Sequence, residues 1–527
     1  MSTVPPPPFV LALSAHLLEL RETHISWVFL GPTEVLKVKK PVRFAFLDFS
    51  TRELRRRACE AEVALNRRLS PDVYIDVAPI ALDEAGAPVI GGAGEPIDFA
   101  VRMRRLPDAE RADVMLEAGR FSVEQVELLA EHIARFHQNA EVDRDPAGPG
   151  GLTTLTTHVE ENLSALASFG TQALGPRRWA ELCTRQRESL AALSPLLVQR
   201  LADGRVRDGH GDLRLDHAYF AADGAIRVLD CVEFDRAFRV ADVCADVAFF
   251  AMNLYERKRG DWAERFVARY ARDAGDHDLY ALVDFYLAYW ALVRAKVCEA
   301  RAAQTEGDVA NEQHAACARL LELAHSFVAP ARKKARLCAV GGVIGSGKSR
   351  LGARIGAEWA APVLQSDRLR KQLHGVDPEQ RLSVAGAYSE QATEDLYAEL
   401  RRRAAVVLQS GRSVIVDASF RSRAERRAWA RLAQELGVRW VFFECHAPRP
   451  VLEARLRARE RKNVVSDARI ELLDGFLARY EALSEAELAS AMRVDTARPP
   501  DEVWDSVRAR LFHDEHKAGA GLSPRAS

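Results

Sequence analysis

The sequence predicts two domains of different class. An α+β domain, with a small sheet-rich lobe and a larger helical lobe, is expected over residues 1–330, and an α/β three-layer domain with a parallel sheet over 331–512. A disordered tail is expected at 513–527. A chain of 527 residues exceeds what one hydrophobic core supports. Its apolar pattern runs first as short strands and then as long helices, whereas beyond residue 337 strands and helices alternate, as crossover connections require. Charge also changes sign there. Residues 1–330 hold 39 basic and 49 acidic side chains, and residues 331–527 hold 35 and 26. The positive excess of the second part suits anionic ligands such as nucleotides or nucleic acid, although an arginine-rich solvated surface gives the same count.

Hydrophobic residues at 48% and charged residues at 28% describe a soluble globular protein. No stretch approaches the ~18 apolar residues of a membrane span. The opening MSTVPPPPFVLAL has no basic segment before its short apolar run, so neither export nor insertion is expected. Eight scattered cysteines without a CxxC pair point to reduced thiols in a cytoplasm.

In the small lobe, about 1–106, HISWVFLGPTEVLKVKKPV (24–42) places β-type residues on both sides of a Gly-Pro turn and predicts a hairpin. A helix over Arg52 to Leu69 and short strands near 73–80, 88–90 and 97–103 follow. The large lobe, about 107–330, is helical, with apolar spacing of three and four in SVEQVELLAEHIARFH, and is interrupted by a loop region at 206–234. VAPARKKARL (328–337) reads as a linker. Lysine is scarce, 11 of 74 basic residues, and four of the eleven are Lys37, Lys39, Lys40 and Lys348.

Beyond the linker, LCAVGG, PVLQSD, SVIVDAS and WVFFECHA read as strands, each followed by a helix. After the first comes GVIGSGKS (342–349), which fits G-x-x-x-x-G-K-[ST] through Gly342, Gly347, Lys348 and Ser349, with Gly345 inside the turn. Backbone amides of such a turn and the helix start behind it cradle phosphates. The lysine reaches the β- and γ-phosphates and the hydroxyl ligates Mg²⁺. ATP and Mg²⁺ are therefore the expected cofactors. Asp417, ending the third strand, is positioned to bind the metal directly or through water. Asp367, after the second, is either the base that takes the proton of an attacking hydroxyl or a helix cap. Arg455 and Arg459 in ARLRARERK share a helix face, as a lid over the phosphates or as a solvated basic surface. Residues 338–510 resemble the small P-loop kinases, including gluconate kinase, the zeta-toxin group and polynucleotide 5′-hydroxyl kinases, rather than a ring-forming AAA ATPase.

GHGDLRLDH (209–217) sets His210, Asp212 and His217 at the first, third and eighth places of the loop H-R-D-x-x-x-x-N. Asp230 follows in IRVLDCVEF and Asp242 and Asp246 in ADVCADVAFF. This series resembles the aminoglycoside phosphotransferase family, whose fold is two-lobed and protein-kinase-like. The resemblance implies Asp212 as base, Asp230 as Mg²⁺ ligand, and Asp242 with Asp246 as a bracing pair. It also implies Lys37, or else Lys39, on the phosphates, with Glu62, or otherwise Glu60, as its partner, and RMRRL (102–106) as the adenine hinge. THISWVFL, VKKPVRFAFLDFST and LDCVEFDRAFRVADV are similar to a bacterial branch in which such a domain is fused to a P-loop kinase domain. Two departures stand out. ETHIS replaces a glycine-rich loop, and His217 replaces the metal-binding asparagine, as a metal ligand or as a brace of the loop. The expected function is a bifunctional ATP- and Mg²⁺-dependent phosphotransferase with an unidentified hydroxyl-bearing acceptor and no membrane partner. The alternatives are a P-loop enzyme regulated by an N-terminal pseudokinase module, and a C-terminal domain acting on polynucleotide 5′ ends.

Overall fold

The computed structural model describes residues 5–16, 19–44, 47–92, 94–329, 335–377, 380–382, 384–460, 469–488 and 491–512. The expected tail at 513–527 and residues 330–334 of the expected linker lie outside them. The chain divides into two compact units, 1–274 with 282–329, and 275–281 with 330–527. Among the described residues no helix is long and apolar enough to cross a membrane.

The first unit begins with a six-stranded sheet: β1 (Glu19–Glu22), β2 (Ser26–Leu30), β3 (Glu34–Lys39), β4 (Tyr74–Leu82), β5 (Pro88–Ile90) and β6 (Asp98–Arg104). Their spatial order is β1-β2-β3-β6-β4-β5, antiparallel throughout. The expected hairpin is β2 and β3. β1, which periodicity misses, is the exposed edge sequence ELRE and has no apolar alternation to reveal it. Alternation in β3 sends Leu36 and Val38 into a core with Trp27, Phe29, Ile80 and Ala100. Lys37 and Lys39 therefore project from the other face. Between β3 and β4 lies α1 (Arg52–Asn66), started by the Thr51 hydroxyl accepting from the Leu54 amide, and Glu62 is on its buried side.

The main helices of the helical part are α2 (Val123–Asn139), α3 (Pro176–Ala202), α4 (Val243–Glu256), α5 (Gly260–Ala274), α6 (Val283–Ala302) and α7 (Gly307–Val328). Ser122 and Gln125 form a reciprocal capping box that starts α2. Helix α4 is buried at every position from Val243 to Leu254. The Trp290 indole of α6 stacks on Phe249, with ring centroids 4.0 Å apart, and donates to the Ala245 carbonyl at 2.7 Å. This packing fixes the helix that carries Asp246.

The second unit holds a five-stranded parallel sheet of β7 (Arg336–Gly341), β8 (Val363–Gln365), β9 (Val414–Asp417), β10 (Arg439–His446) and β11 (Ala491–Asp495), in the order β8-β9-β7-β10-β11. Its main helices are α8 (Lys348–Trp359), α9 (Ser366–Leu373), α10 (Glu390–Gln409), α11 (Arg423–Glu435), α12 (Arg449–Glu460) and α13 (Pro500–Phe512). The expected strand–helix alternation and parallel sheet are present. The fifth strand, AMRVD, escaped the pattern because only Val494 is buried on this sheet edge. Strand order reverses at β7, so the carboxyl ends of β7 and β9 open the crevice where such sheets bind ligands. Ile355 of α8 is fully buried in a core with Cys338, Ile415, Phe443 and Leu511. Replacing Ile355 by alanine is expected to destabilise this unit by about 2–5 kcal/mol in a urea titration.

Candidate functional site

The turn between β7 and α8 is left-handed at Gly342 (φ 132°), Gly345 (78°) and Gly347 (89°). A Cβ at Gly342 would stand 2.2 Å from the Cys445 carbonyl oxygen, so only glycine fits there. Gly347 occupies the N-cap position of α8. The Lys348 ammonium donates to the Val343 carbonyl at 3.0 Å across the turn. Asp417 ends β9, in register with Val340 of β7 and Gln365 of β8. Burial, and to a smaller extent the Asp367 carboxylate, raise its pKa above the usual aspartate value, opposed by Lys348, by a hydrogen bond from Ser349 and by Arg459.

A cavity of about 850 Å³ opens over these groups and gathers Gly345, Gly347, Lys348, Ser349, Asp367, Asp417 and Arg459. The residues fit the ligands expected of them. A turn left-handed at three glycines can aim its amides at phosphate oxygens, and a hydroxyl hydrogen-bonded to a carboxylate is an oxygen donor set suited to Mg²⁺. Asp367 stands in the first turn of α9, where Gln365 takes the cap position. Of the two expected lid arginines, Arg459 lines the cavity. Arg455 instead donates to the Gly345 carbonyl at 3.3 Å, the Thr496 hydroxyl at 3.0 Å and the Thr496 carbonyl at 2.7 Å. Thr496 in turn donates to the Ser346 carbonyl at 2.8 Å, so the glycine turn is tied to the chain leaving β11. Sequence reasoning missed Thr496, since a threonine after a weak edge strand carries no motif.

The first unit gathers a second set of groups. The Lys37 ammonium lies 2.8 Å from Glu62 and 3.0 Å from Asp230. Lys39, fully buried, lies 2.5 Å from the other Glu62 oxygen and also pairs with Glu233. Glu62 therefore meets both lysines, whereas Glu60 faces Arg56 on the exposed side of α1. Although burial opposes ionisation, Lys37 and Lys39 hold the Glu62 carboxyl below its usual range. Asp230 is likewise held low, against desolvation, chiefly by Lys37 and also by Lys39. Its backbone is left-handed at φ 60°, strained for a non-glycine residue, and its amide donates to the Tyr74 hydroxyl at 3.2 Å.

Asp246 organises the GHGD loop. Its carboxylate accepts from the His210 amide at 2.7 Å and the Gly211 amide at 2.9 Å, and meets His137 at 3.1 Å. A Cβ at Gly209 would stand 2.5 Å from that carboxylate. Asp242 pairs with Arg200 at 2.7 Å and caps α4. His210 accepts from the Asp212 amide at 3.2 Å, its other ring nitrogen bonds the Leu229 carbonyl at 3.0 Å, and burial lowers its pKa to about 4. His217 bonds the Asp212 carbonyl through Nδ1 at 2.9 Å and accepts from Arg214 at Nε2, 2.8 Å away. Arg214 cannot accept, which fixes that tautomer. The Arg214 guanidinium also lies 3.1 Å from the Asp212 carboxylate. Arg214 and Glu233 were missed by sequence reasoning, because neither occupies a fixed position of the loop pattern.

A carboxyl whose folded pKa is depressed stabilises the fold above its unfolded value, and that stability disappears as pH falls through the folded value. Glu62, depressed from the usual 4.5, follows this rule. Glu62→Gln is expected to destabilise the first unit by about 3–5 kcal/mol at neutral pH, because it strips a partner from two buried lysines. Urea titrations of both proteins should show this gap narrowing as pH is lowered below the usual glutamate range.

Residues 337–483 match the family described as AAA domain (AAA_33). With the glycine turn, its lysine and the parallel sheet, this makes the second unit a P-loop α/β domain. The chain is also similar to a gluconokinase structure from Sinorhizobium meliloti 1021, at 23% identity over 36% of this chain and 99% of that one, with a TM-score of 0.27, a likeness too slight to bear on function. Over 92% of its length it is 34% identical to Uncharacterized protein Rv2004c of Mycobacterium tuberculosis and to Uncharacterized protein Mb2027c of Mycobacterium bovis, covering 93% of each. An alignment of that identity and extent, spanning both units, establishes that the chain belongs to the same family as these mycobacterial proteins.

Proposed function

We propose that the chain is an ATP- and Mg²⁺-dependent phosphotransferase whose second unit moves the γ-phosphoryl group of ATP to a hydroxyl of an acceptor in the same cavity. The observation that carries this reading is the convergence of Lys348, Ser349, Asp367, Asp417 and Arg459 on one space of about 850 Å³. Amides of the glycine turn and Lys348 orient the phosphates, and Ser349 and Asp417 are the residues that would hold the metal. When bound there, Mg²⁺ would supply neutralisation of phosphate charge. The Asp367 carboxylate accepts the acceptor's hydroxyl proton, and Arg459 offsets charge on the transferred group. Arg455, bonded to Gly345 and Thr496, keeps the turn in shape.

For the first unit the proposal is an aminoglycoside phosphotransferase-like site of protein-kinase-like fold. Lys37, held by Glu62, faces the phosphates, Asp212 is the base, and Asp230 is the metal ligand with His217 as its candidate companion. A second reading, a regulatory module that binds without transferring, is favoured by two contacts. Arg214 is paired with the Asp212 carboxylate, and both ring nitrogens of His217 bond within its own loop.

Transfer from γ-labelled ATP into a metabolite extract tests both halves. Lys348→Ala is expected to lose roughly 100- to 1,000-fold of the transfer. Wild-type transfer by Lys348→Ala together with a dead Asp212→Asn protein would move the chemistry to the first unit. Labelled products that disappear only in Asp212→Asn support two working sites, and an unchanged product pattern supports the regulatory reading.

A further inference from the structure

His217 stands where the loop pattern has a metal-binding asparagine, and its hydrogen bonds decide between ligand and brace. In protein kinases the two Mg²⁺ ions are held by that asparagine and by a later aspartate. The place of the asparagine is built differently here. The His217 backbone is fixed on both sides: its amide donates to the Arg214 carbonyl at 3.2 Å, and its carbonyl accepts from the Leu229 amide at 2.9 Å. The residue is buried. Because Arg214 donates to Nε2, the lone pair of that nitrogen is taken, and Nδ1 carries the proton that it gives to the Asp212 carbonyl at 2.9 Å. A histidine ligates a metal only through an unprotonated nitrogen. Ligation through Nε2 requires Arg214 to leave. Ligation through Nδ1 sets a lone pair against the Asp212 carbonyl oxygen in place of a hydrogen bond. The donor set at this place therefore does not fit a metal ion.

A fixed cation stands there instead. The Arg214 side chain is 15% exposed, and its guanidinium lies 2.9 Å from the Asp216 carboxylate and 3.1 Å from that of Asp212. The His217 ring between them has the Asp212, Asp216 and Asp230 carboxylates 3.6, 4.0 and 3.9 Å away. From α6, Arg294 adds positive charge near the loop: burial first, and then the charge of Arg214, lower its pKa, while Asp212 opposes them. A guanidinium keeps its charge throughout the pH range of a folded protein. A divalent ion brought beside it would meet like charge at close range.

We propose that the first unit binds its nucleotide with a single divalent cation, on Asp230, and that the Arg214 guanidinium permanently occupies the place of a second. Arg214 is a positioning residue in this arrangement. It holds the His217 ring, and through that ring the Asp212 backbone, and it supplies without a metal the positive charge that the loop carboxylates face. The inference rests on the nucleotide-binding reading of this site and applies equally to a transferring and to a regulatory unit.

The test counts bound Mn²⁺ in the full chain, from the loss of the paramagnetic resonance signal of the free ion, with a non-hydrolysable ATP analogue at saturation. Analogue binding is measured first by calorimetry. If Lys348→Ala abolishes it altogether, the first unit binds no nucleotide, and that reading of the site falls together with the inference. With analogue bound in the first unit, Asp230→Asn is expected to lose one Mn²⁺ per chain and His217→Leu none. Arg214→Ala frees Nε2 beside three carboxylates and is expected to bind one Mn²⁺ more than wild type, a gain that also shows the variant to be folded. Arg214→Lys, which keeps a cation in place, is expected to match the wild-type count. Loss of two ions in Asp230→Asn, loss of an ion in His217→Leu with analogue binding intact, or an unchanged count in Arg214→Ala would overturn the inference.

Discussion

A carboxyl buried at the end of a central parallel strand is the constraint around which the second unit is built. Asp417 is 5% exposed, and burial alone drives it toward the neutral acid. Lys348, the Ser349 hydroxyl and Arg459 oppose that drive, so the acid, the base of the glycine turn and the helix behind it form one electrostatic unit. The turn passes close against Cys445, which forces glycine at 342, and the Arg455–Thr496 bonds tie the turn to the strand edge on the other side.

The first unit solves a similar problem with a different device. The set Lys37, Lys39, Glu62, Asp230 and Glu233 joins strand β3, helix α1 and the loop after the GHGD turn. Asp246 bonds two consecutive amides of that turn from the buried helix α4, so packing in the helical core controls the position of Asp212. The strained Asp230 is held between these supports. With nearly every polar group in the loop already engaged by another, the geometry of this site is stiff. Whether that stiffness serves transfer or recognition depends on how readily Arg214 releases Asp212.

Features set by local pattern were legible in the sequence. The β2–β3 hairpin, helix α1 and the strand–helix alternation of the second unit each rest on periodicity and turn residues within a short window. The glycine turn with Lys348 and Ser349 was legible because phosphate binding uses backbone amides at fixed spacing. Strands β1 and β11 were hidden because edge strands bury little and need no apolar alternation. Arg455, read from pattern as a lid over the phosphates or a solvated basic surface, is instead turned by the fold toward Gly345 and Thr496.

The account is tested most directly at the buried carboxyl. Asp417→Asn keeps the shape and a hydrogen-bonding group beside Ser349 while removing the charge. Phosphoryl transfer from ATP measured across a Mg²⁺ titration is expected to show Mg²⁺ dependence shifted roughly 10- to 100-fold to higher concentration, with slower transfer at saturation. Transfer with wild-type rate and wild-type Mg²⁺ dependence in Asp417→Asn would contradict the assignment of catalysis to this cavity.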